Sequence, residues 1–386
     1  MAQAAAPTVR GLTSVRTVLH LIDLPGPGGA ETIYVAVAAG LDRSRFRSVA
    51  AAPDRGWTFD ALRAAGLDPI VTPIKRGPLD WRYLRQIVGL VRRERVDLVH
   101  AHLLGPSVYA GMAGLLTGVP IVATFHGHVD VSAGERLLRL KTAILNRACS
   151  RITFVSEALR VEFLRRTALR AQRTAVVVNG IDDPADAVPE PHLRGVLGAQ
   201  PGQFLVGAVG HIRPPKAYDV FLRAAALLLE RSPTYRFVIV GQVERKDVYD
   251  DLVGLRDSLG LRDRVLFAGR RDDVPQVLRA FDAYVVSSTS EGFSLSTVQA
   301  MRAGIPVVAT RCGGPETILE DGTTGILVAC SDPHALADGV DRLRRDPALR
   351  ARLANAARAA ADGRYTAAAM VAGYERVYDE TLGTAR

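Results

Sequence analysis

Short apolar runs alternate with helix-length amphipathic segments along almost the whole chain, and this alternation is the feature that most restricts its fold. Strands that alternate with helices in this way are typical of βαβ units and of parallel sheets. The sequence therefore predicts an α/β fold. In the first half the apolar runs are VLHLID (18–23), VAAAP (49–53), PIVTP (69–73), DLVHAH (97–102), PIVATF (120–125), ITFVS (152–156) and AVVVN (175–179).

The pattern restarts after residue 203, which indicates a second domain of the same kind. Before it lies a stretch rich in Pro, Asp and Ala in which apolar residues have no regular spacing. This stretch predicts a linker over 181–202. We predict two Rossmann-like domains, 1–180 and 203–365, that face each other across a cleft. A final helix over 366–386 has Met370, Tyr374 and Val377 at helical spacing. In such folds ligands bind at the carboxyl ends of the strands.

Composition agrees with an ordinary globular protein, since 48% of the 386 residues are apolar and 23% are charged. The three cysteines, Cys149, Cys312 and Cys330, have no spacing that suggests a disulfide framework or a zinc site. We expect a cytoplasmic protein. The N-terminus lacks a signal-peptide pattern, and no apolar stretch is long enough to predict a membrane span.

The net charge of +9 is unevenly distributed. Residues 1–180 hold 24 Lys and Arg against 13 Asp and Glu, whereas 181–386 hold 25 against 27. A basic half favours an anionic membrane surface, an anionic substrate or nucleic acid as partner, and a solvated helix face explains it equally well. No interleaved aromatic and basic motif supports nucleic acid, so we expect none. Trp81, Tyr83 and Leu84 lie among arginines and fit either an interfacial contact or the core.

The first candidate motif is GPGGAE (26–31), which follows a strand and opens a helix. Its backbone amides and the helix N-terminus suit an anion or a sugar. Glu31 stands where the third glycine of a dinucleotide-binding fingerprint belongs, which argues against an oxidoreductase. A plain tight turn is the alternative interpretation.

The second motif is GHIRPPK (210–216), a loop between a strand and a helix that carries Arg213 and Lys216. Two cations at the mouth of an α/β domain suit a diphosphate, because charge-assisted hydrogen bonds to phosphate are strong. Lys216 as a solvated residue at the helix start is the alternative.

The third and most specific motif is SSTSEGFSLSTVQAMRAGIPVVAT (287–310). A strand ends at Ser288, a polar loop carries Glu291 and Gly292, and a helix begins near Ser294. The helix amides and the carboxylate together suit a nucleotide sugar. Ser294 or Ser296 also fits an ordinary N-cap.

Three shorter motifs join these: TFHG (124–127), NGID (179–182) and GGPETI (313–318). Taken in their order along the chain, all six resemble family 4 of the retaining glycosyltransferases. The resemblance extends from about Val18 to Tyr378. It implies the GT-B fold, an acceptor-binding N-terminal domain, a donor-binding C-terminal domain and a last helix that crosses back to the N-terminal domain.

The resemblance also implies roles for individual residues. His126, Lys216 and Glu291 would be catalytic: His126 would contact the transferred sugar, Lys216 with Arg213 would hold the diphosphate, and Glu291 would bind sugar hydroxyls. The remaining donor-binding positions would be Gly28, Gly29, Gly292, Phe293, Ser294, Leu295, Ser296 and Gln299.

Two positions depart from the family pattern. The second glutamate of the paired-glutamate signature is Gln299, a neutral amide that accepts and donates hydrogen bonds. An arginine that often follows the phosphate-loop glycine is His211, and Arg213 lies two residues further on.

The implied reaction moves a sugar, with retention, from a nucleotide-sugar donor to a saccharide or lipid-linked acceptor. It needs no cofactor and no metal, because no Asp or His cluster stands beside the donor motifs. Peripheral contact with the cytoplasmic face of a membrane is a further expectation. The alternatives are a nucleotide-sugar-binding protein without transferase activity and a GT-B sugar-nucleotide epimerase.

Overall fold

The computed structural model describes residues 15–54, 56–72, 80–127, 137–182 and 192–384. In the described part the first half forms a seven-stranded sheet of order β3-β2-β1-β4-β5-β6-β7. The registers of β1 with β2 and β4, of β2 with β3 and of β6 with β7 are all parallel. Its strands are β1 (Arg16–Leu21), β2 (Phe46–Pro53), β3 (Ile70–Thr72), β4 (Leu98–His102), β5 (Ile121–Phe125), β6 (Cys149–Phe154) and β7 (Thr174–Val176).

Helices occupy the connections, as the alternating pattern predicts. They are α1 (Gly29–Gly40), α2 (Trp57–Ala64), α3 (Trp81–Arg93), α4 (Leu104–Thr117), α5 (Leu138–Ala148), α6 (Glu157–Arg166) and a single turn, α7 (Leu193–Val196), within the predicted linker.

Helix α3 shows how the sequence sets the local structure. Asp80 caps its N-terminus by accepting a hydrogen bond from the Arg82 amide. Tyr83 and Leu84 are buried, so both belong to the core and not to an interfacial surface. The Trp81 side chain is 60% exposed and remains on the outer face.

The second half forms a six-stranded sheet of order β10-β9-β8-β11-β12-β13, again parallel in every register. Its strands are β8 (Phe204–Val209), β9 (Tyr235–Val240), β10 (Val265–Gly269), β11 (Ala283–Val286), β12 (Val307–Thr310) and β13 (Ile326–Val328). Its helices are α8 (Tyr218–Arg231), α9 (Lys246–Ser258), α10 (Val274–Ala280), α11 (Leu295–Arg302), α12 (Pro333–Arg345), α13 (Pro347–Ala361) and α14 (Ala367–Thr384). The predicted class, two parallel Rossmann-like sheets with helices, is confirmed.

By its internal contacts the chain divides into two compact units. Unit 1 comprises the described residues of 1–123, 144–151 and 374–386, and unit 2 those of 124–143 and 152–373. In each sheet the strand order reverses direction beside the first strand, at β1 next to β4 and at β8 next to β11. Crevices at such switch points are the usual ligand sites of open α/β sheets.

The second part of α14 belongs to unit 1, as the predicted return of the last helix requires. The Tyr378 hydroxyl lies 2.6 Å from His100 Nδ1, and Arg45 forms ion pairs with Glu375 and Asp379 at 2.8 and 2.6 Å. Tyr374 and Tyr378 are fully buried. These contacts give the helix its packing partner.

None of the helices in the described ranges has an apolar stretch long enough to cross a bilayer.

Candidate functional site

The turn that contains Gly28 and Gly29 lies in unit 1, at the start of α1. Gly28 occupies the N-cap position, and its carbonyl accepts hydrogen bonds from the amide and the hydroxyl of Thr32. A Cβ atom at Gly28 would overlap the carboxylate of Glu31, which is itself buried. The close approach of this carboxylate explains the glycine at position 28.

The phosphate-loop motif lies in unit 2, directly after β8. A Cβ atom at Gly210 would lie 2.8 Å from Lys216 Cε, so the glycine makes room for the lysine side chain. Residues Pro214–Lys216 form one 3-10 turn, and Ala217 adopts a left-handed conformation (φ 46°) before α8 begins. This turn directs Lys216 back over the end of β8.

Lys216 and Glu291 form the centre of the site. The Lys216 ammonium donates a hydrogen bond to Glu291 Oε1 at 2.6 Å, and the Ser288 hydroxyl donates to the same oxygen at 2.7 Å. The side chains of Lys216 and Glu291 are only 15% and 10% exposed. The interpretation of Lys216 as a solvated residue is therefore wrong, because the ion pair holds it in a half-buried position. A small cavity opens beside the pair, lined in part by Tyr218, Tyr284 and Ser296.

Arg213 and His211 lie at the outer rim of this loop. Arg213 Nη1 is 3.9 Å and His211 Nδ1 is 3.4 Å from a carboxylate oxygen of Glu244. Burial lowers the pKa of His211, and Glu244 offsets part of this effect. The structure thus places both residues in the predicted loop, with an acidic neighbour that the sequence did not indicate.

His126 lies at the end of β5, against the loop that carries Glu291. A Cβ atom at Gly292 would overlap the His126 carbonyl and would lie 2.8 Å from Gly127 Cα. The Ser156 hydroxyl, at the start of α6, donates a hydrogen bond to the Gly292 carbonyl at 2.7 Å. Two sequence motifs more than 160 residues apart therefore meet at one glycine.

The imidazole of His126 is neutral over a wide pH range. Burial lowers its pKa from 6.5 to about 3. A neutral imidazole offers one N–H donor and one acceptor nitrogen, which suits a sugar hydroxyl.

The N-terminus of α11 completes the constellation. The helix begins at Leu295, and Ser294 occupies its N-cap position without a side-chain capping bond. Instead the Ser294 hydroxyl accepts a hydrogen bond from the Thr297 hydroxyl at 2.8 Å. Ser294 therefore occupies the N-cap position that the sequence offered as its alternative role, but its side chain does not make the capping bond. The first helical amides carry the positive end of the helix dipole.

The other predicted donor-binding residues occupy the same segment. Phe293 and Ser294 are buried, whereas Leu295, Ser296 and Gln299 are half-buried. Gln299 lies on α11, just over one turn after Leu295.

Two supporting hydroxyls were missed by sequence reasoning. Ser288, recognised only as a strand end, orients Glu291, and Ser156 fixes the Gly292 carbonyl. Ser288 was detectable as the polar residue after β11, but nothing in the sequence links Ser156 to a loop 136 positions away.

Comparison with known proteins decides the family. Residues 190–360 match the model of the glycosyl transferases group 1, and residues 27–183 match that of glycosyltransferase family 4. The chain belongs to the family 4 glycosyltransferases. The resemblance stated from the motifs is confirmed, and the assignment as a glycosyltransferase is favoured over the binding-protein and epimerase alternatives.

Two curated relatives illustrate how far this glycosyltransferase resembles others. A D-inositol 3-phosphate glycosyltransferase of Frankia alni is 33% identical over 315 residues, which are 75% of each chain. The UDP-Gal:alpha-D-GlcNAc-diphosphoundecaprenol alpha-1,3-galactosyltransferase of Escherichia coli is 27% identical over 281 residues, 70% of this chain and 72% of the relative.

Among solved structures, that of Anabaena Alr3699/HepE in complex with UDP-glucose matches this glycosyltransferase with a TM-score of 0.84 at 26% identity. The match covers 94% of this chain and 99% of the Anabaena chain.

Proposed function

We propose that this glycosyltransferase binds a nucleotide-sugar donor in unit 2 and transfers the sugar with retention of configuration and without a metal ion. The observation that carries the proposal is the Lys216–Glu291–Ser288 cluster at the β8/β11 switch point, beside the N-terminus of α11. The Anabaena structure contains UDP-glucose, and the Escherichia coli relative is named for UDP-Gal. Uridine diphosphate sugars are therefore the first donors to test.

Each group of the cluster has a chemical task in this proposal. Lys216 has three N–H donors, of which one goes to Glu291, so two remain for diphosphate oxygens. Arg213 and the first amides of α11 add positive potential for the leaving diphosphate. Glu291, already oriented by Lys216 and Ser288, accepts hydrogen bonds from hydroxyls of the donor sugar.

His126 and Gln299 complete the donor contacts. His126 donates or accepts one hydrogen bond at the transferred sugar as a neutral imidazole. Gln299 binds one ribose hydroxyl through its amide, in place of the carboxylate that usually binds both. The family resemblance also implies donor-binding roles for Gly28 and Gly29, which lie in the first turn of unit 1.

The donor is identified by a thermal-shift screen of nucleotide sugars, because a ligand that binds the native state raises its melting temperature. Product analysis by NMR then tests the stereochemistry. We expect the anomeric configuration of the donor in the product, and a rate that does not rise when Mg²⁺ or Mn²⁺ is added. An inverted product or a strict requirement for added divalent ion would refute the corresponding part of the proposal.

We further propose that the acceptor is a saccharide or lipid-linked molecule and that unit 1 contacts anionic membrane at the cytoplasmic face. Trp81, Arg85 and Arg92 follow one another at helical spacing along the outer face of α3, and all three are exposed. Arg82 and Arg93, on the neighbouring stripe, are paired with Asp80 and Glu94. Each basic residue near an anionic surface contributes about 1 kcal/mol.

The membrane proposal is tested by co-sedimentation with vesicles of graded anionic lipid content at low and moderate salt. Arg85→Ser with Arg92→Ser is expected to weaken binding. A matched variant, Arg223→Ser with Arg358→Ser, removes two exposed arginines of unit 2 and is expected to bind normally. Binding that does not depend on lipid charge or on salt would refute the contact with anionic membrane. A soluble saccharide would then be the expected acceptor.

A further inference from the structure

Three histidines lie together in the core of unit 1, on the two strands where the sheet order reverses. His20 of β1 is opposite His100 of β4 in the parallel register, and His102 is two residues further along β4. Residues two apart on a strand share a face of the sheet. All three side chains are fully buried. The cluster is therefore built into the sheet and not formed by surface side chains.

His20 lacks the hydrogen bonds that a buried imidazole requires. Neither of its ring nitrogens has a hydrogen-bond partner within the described residues. A neutral imidazole has one donor and one acceptor to satisfy, and leaving both unpaired in the core is unfavourable. Its ring neighbours are Tyr34, His100 and Tyr378, at centroid distances of 6.4, 5.8 and 6.5 Å. This environment points to a ligand atom at His20.

The geometry of the cluster suits a metal ion. One ring nitrogen of each histidine lies within 4.8 Å of the corresponding nitrogens of the other two. Tetrahedral zinc bound at about 2.0–2.1 Å holds its ligand nitrogens about 3.3 Å apart. The rings therefore need to close in by about 1.5 Å or less to bind one ion, which small side-chain rotations provide.

A second feature is typical of metal-ligating histidines. His100 Nδ1 lies 2.6 Å from the Tyr378 hydroxyl. When Nδ1–H donates to this hydroxyl, the lone pair of His100 is on Nε2. Ligating histidines usually hold their second ring nitrogen in such a hydrogen bond, which fixes the tautomer and the ring orientation.

We propose that His20, His100 and His102 form a binding site for a single zinc ion that ties β1 to β4. Imidazole ligands suit zinc and related transition metals, whereas Mg²⁺ and Ca²⁺ prefer oxygen ligands. The three imidazoles supply three of the four ligand positions of tetrahedral zinc. The ion links the two strands at the switch point of unit 1 and, through Tyr378, the last helix. Its role is structural, so it is separate from the metal-independent transfer proposed for unit 2.

The test uses the full-length chain without a histidine tag, produced with zinc in the medium and analysed by elemental mass spectrometry. We expect one zinc per chain in the wild type and a loss of most of it in His20→Asn. His334→Asn changes an exposed histidine of α12 and is the matched control, which is expected to retain the zinc. Tyr378→Phe is expected to weaken zinc binding about 10- to 100-fold.

Because His20→Asn is a core substitution that risks misfolding, metal uptake by the wild type is measured independently. Folded protein stripped by a chelator is titrated with Co²⁺ and with Zn²⁺. We expect the visible absorption of tetrahedral Co²⁺ without a thiolate band, the same spectrum in Cys312→Ser, and a higher melting temperature with zinc. A folded wild type that neither contains nor takes up metal, or zinc that is retained by folded His20→Asn, would overturn the proposal.

Discussion

Replacement of Lys216 by methionine, alone and together with Glu291→Gln, separates catalysis from folding at the donor site. The substitution keeps the length of the side chain and removes the ammonium that lies 2.6 Å from Glu291. In the proposed reaction this ammonium stabilises the departing diphosphate. Loss of one preorganised charge-stabilising donor costs about 2–4 kcal/mol of transition-state stabilisation. We therefore expect kcat/KM to fall about 30- to 1,000-fold.

The same change also affects folding, because it leaves a carboxylate that is only 10% exposed without its cation. Breaking a fully buried ion pair costs about 3–5 kcal/mol. Glu291 keeps the Ser288 hydrogen bond and some solvent contact, so we expect a loss of about 1–3 kcal/mol in the free energy of unfolding. The additional change Glu291→Gln removes the unpaired charge and is expected to restore most of that stability.

The assay pairs urea unfolding with steady-state turnover of the best donor from the thermal-shift screen. Lys216→Met and the double variant should differ in stability, and both should be nearly inactive. Near-normal kcat/KM in a folded Lys216→Met protein would remove Lys216 from the donor site. Equal stability of the two variants would show that the ion pair contributes little to folding.

Three further predictions concern neighbouring residues. Gln299→Glu is expected to bind donor as tightly as the wild type or more tightly, since hydrogen bonds to a charged acceptor are stronger; a large rise in the Kd by calorimetry would show a pocket adapted to the amide. Gly292→Ala is expected to lower the free energy of unfolding by about 1–3 kcal/mol, because the new Cβ meets the His126 carbonyl. Gly254→Ala, in an open position of α9, is the control and should be neutral or stabilising. Urea unfolding measures both variants. The pKa of His126 is about 3 in the folded state and 6.5 in the unfolded state. Between pH 3 and pH 6.5 the unfolded state therefore binds more protons, and the free energy of unfolding falls as the pH falls. From pH 7 to pH 5 the wild type should lose about 2 kcal/mol relative to His126→Gln, and parallel pH profiles of the two proteins would refute the burial of a neutral imidazole.

Much of the fold follows from local pattern. The amphipathic segment between the runs PIVTP and DLVHAH indicates a helix, and the structure has α3 (Trp81–Arg93) there. The run VLHLID predicts a strand over 18–23, and β1 spans Arg16–Leu21. These elements are encoded locally, by period and by capping residues such as Asp80, and therefore can be predicted from a single sequence.

The contacts of the site are not encoded in this way. Lys216 and Glu291 are 75 residues apart, and only the packing of β8 beside β11 brings their loops together. The sequence indicates a cation and a carboxylate, but not that they form a half-buried pair. The three histidines of unit 1 went unrecognised for the same reason: HAH at 100–102 was visible within a strand, whereas its partner His20 lies 80 positions earlier.

The central claim, that the Lys216–Glu291 cluster of unit 2 holds the donor diphosphate, is tested most directly by a crystal structure of the chain with a bound nucleoside diphosphate sugar. The account predicts diphosphate oxygens within hydrogen-bond distance of Lys216 Nζ and of the first amides of α11, with sugar hydroxyls on Glu291. A nucleotide bound elsewhere, with the Lys216–Glu291 pair left without any ligand contact, would contradict it.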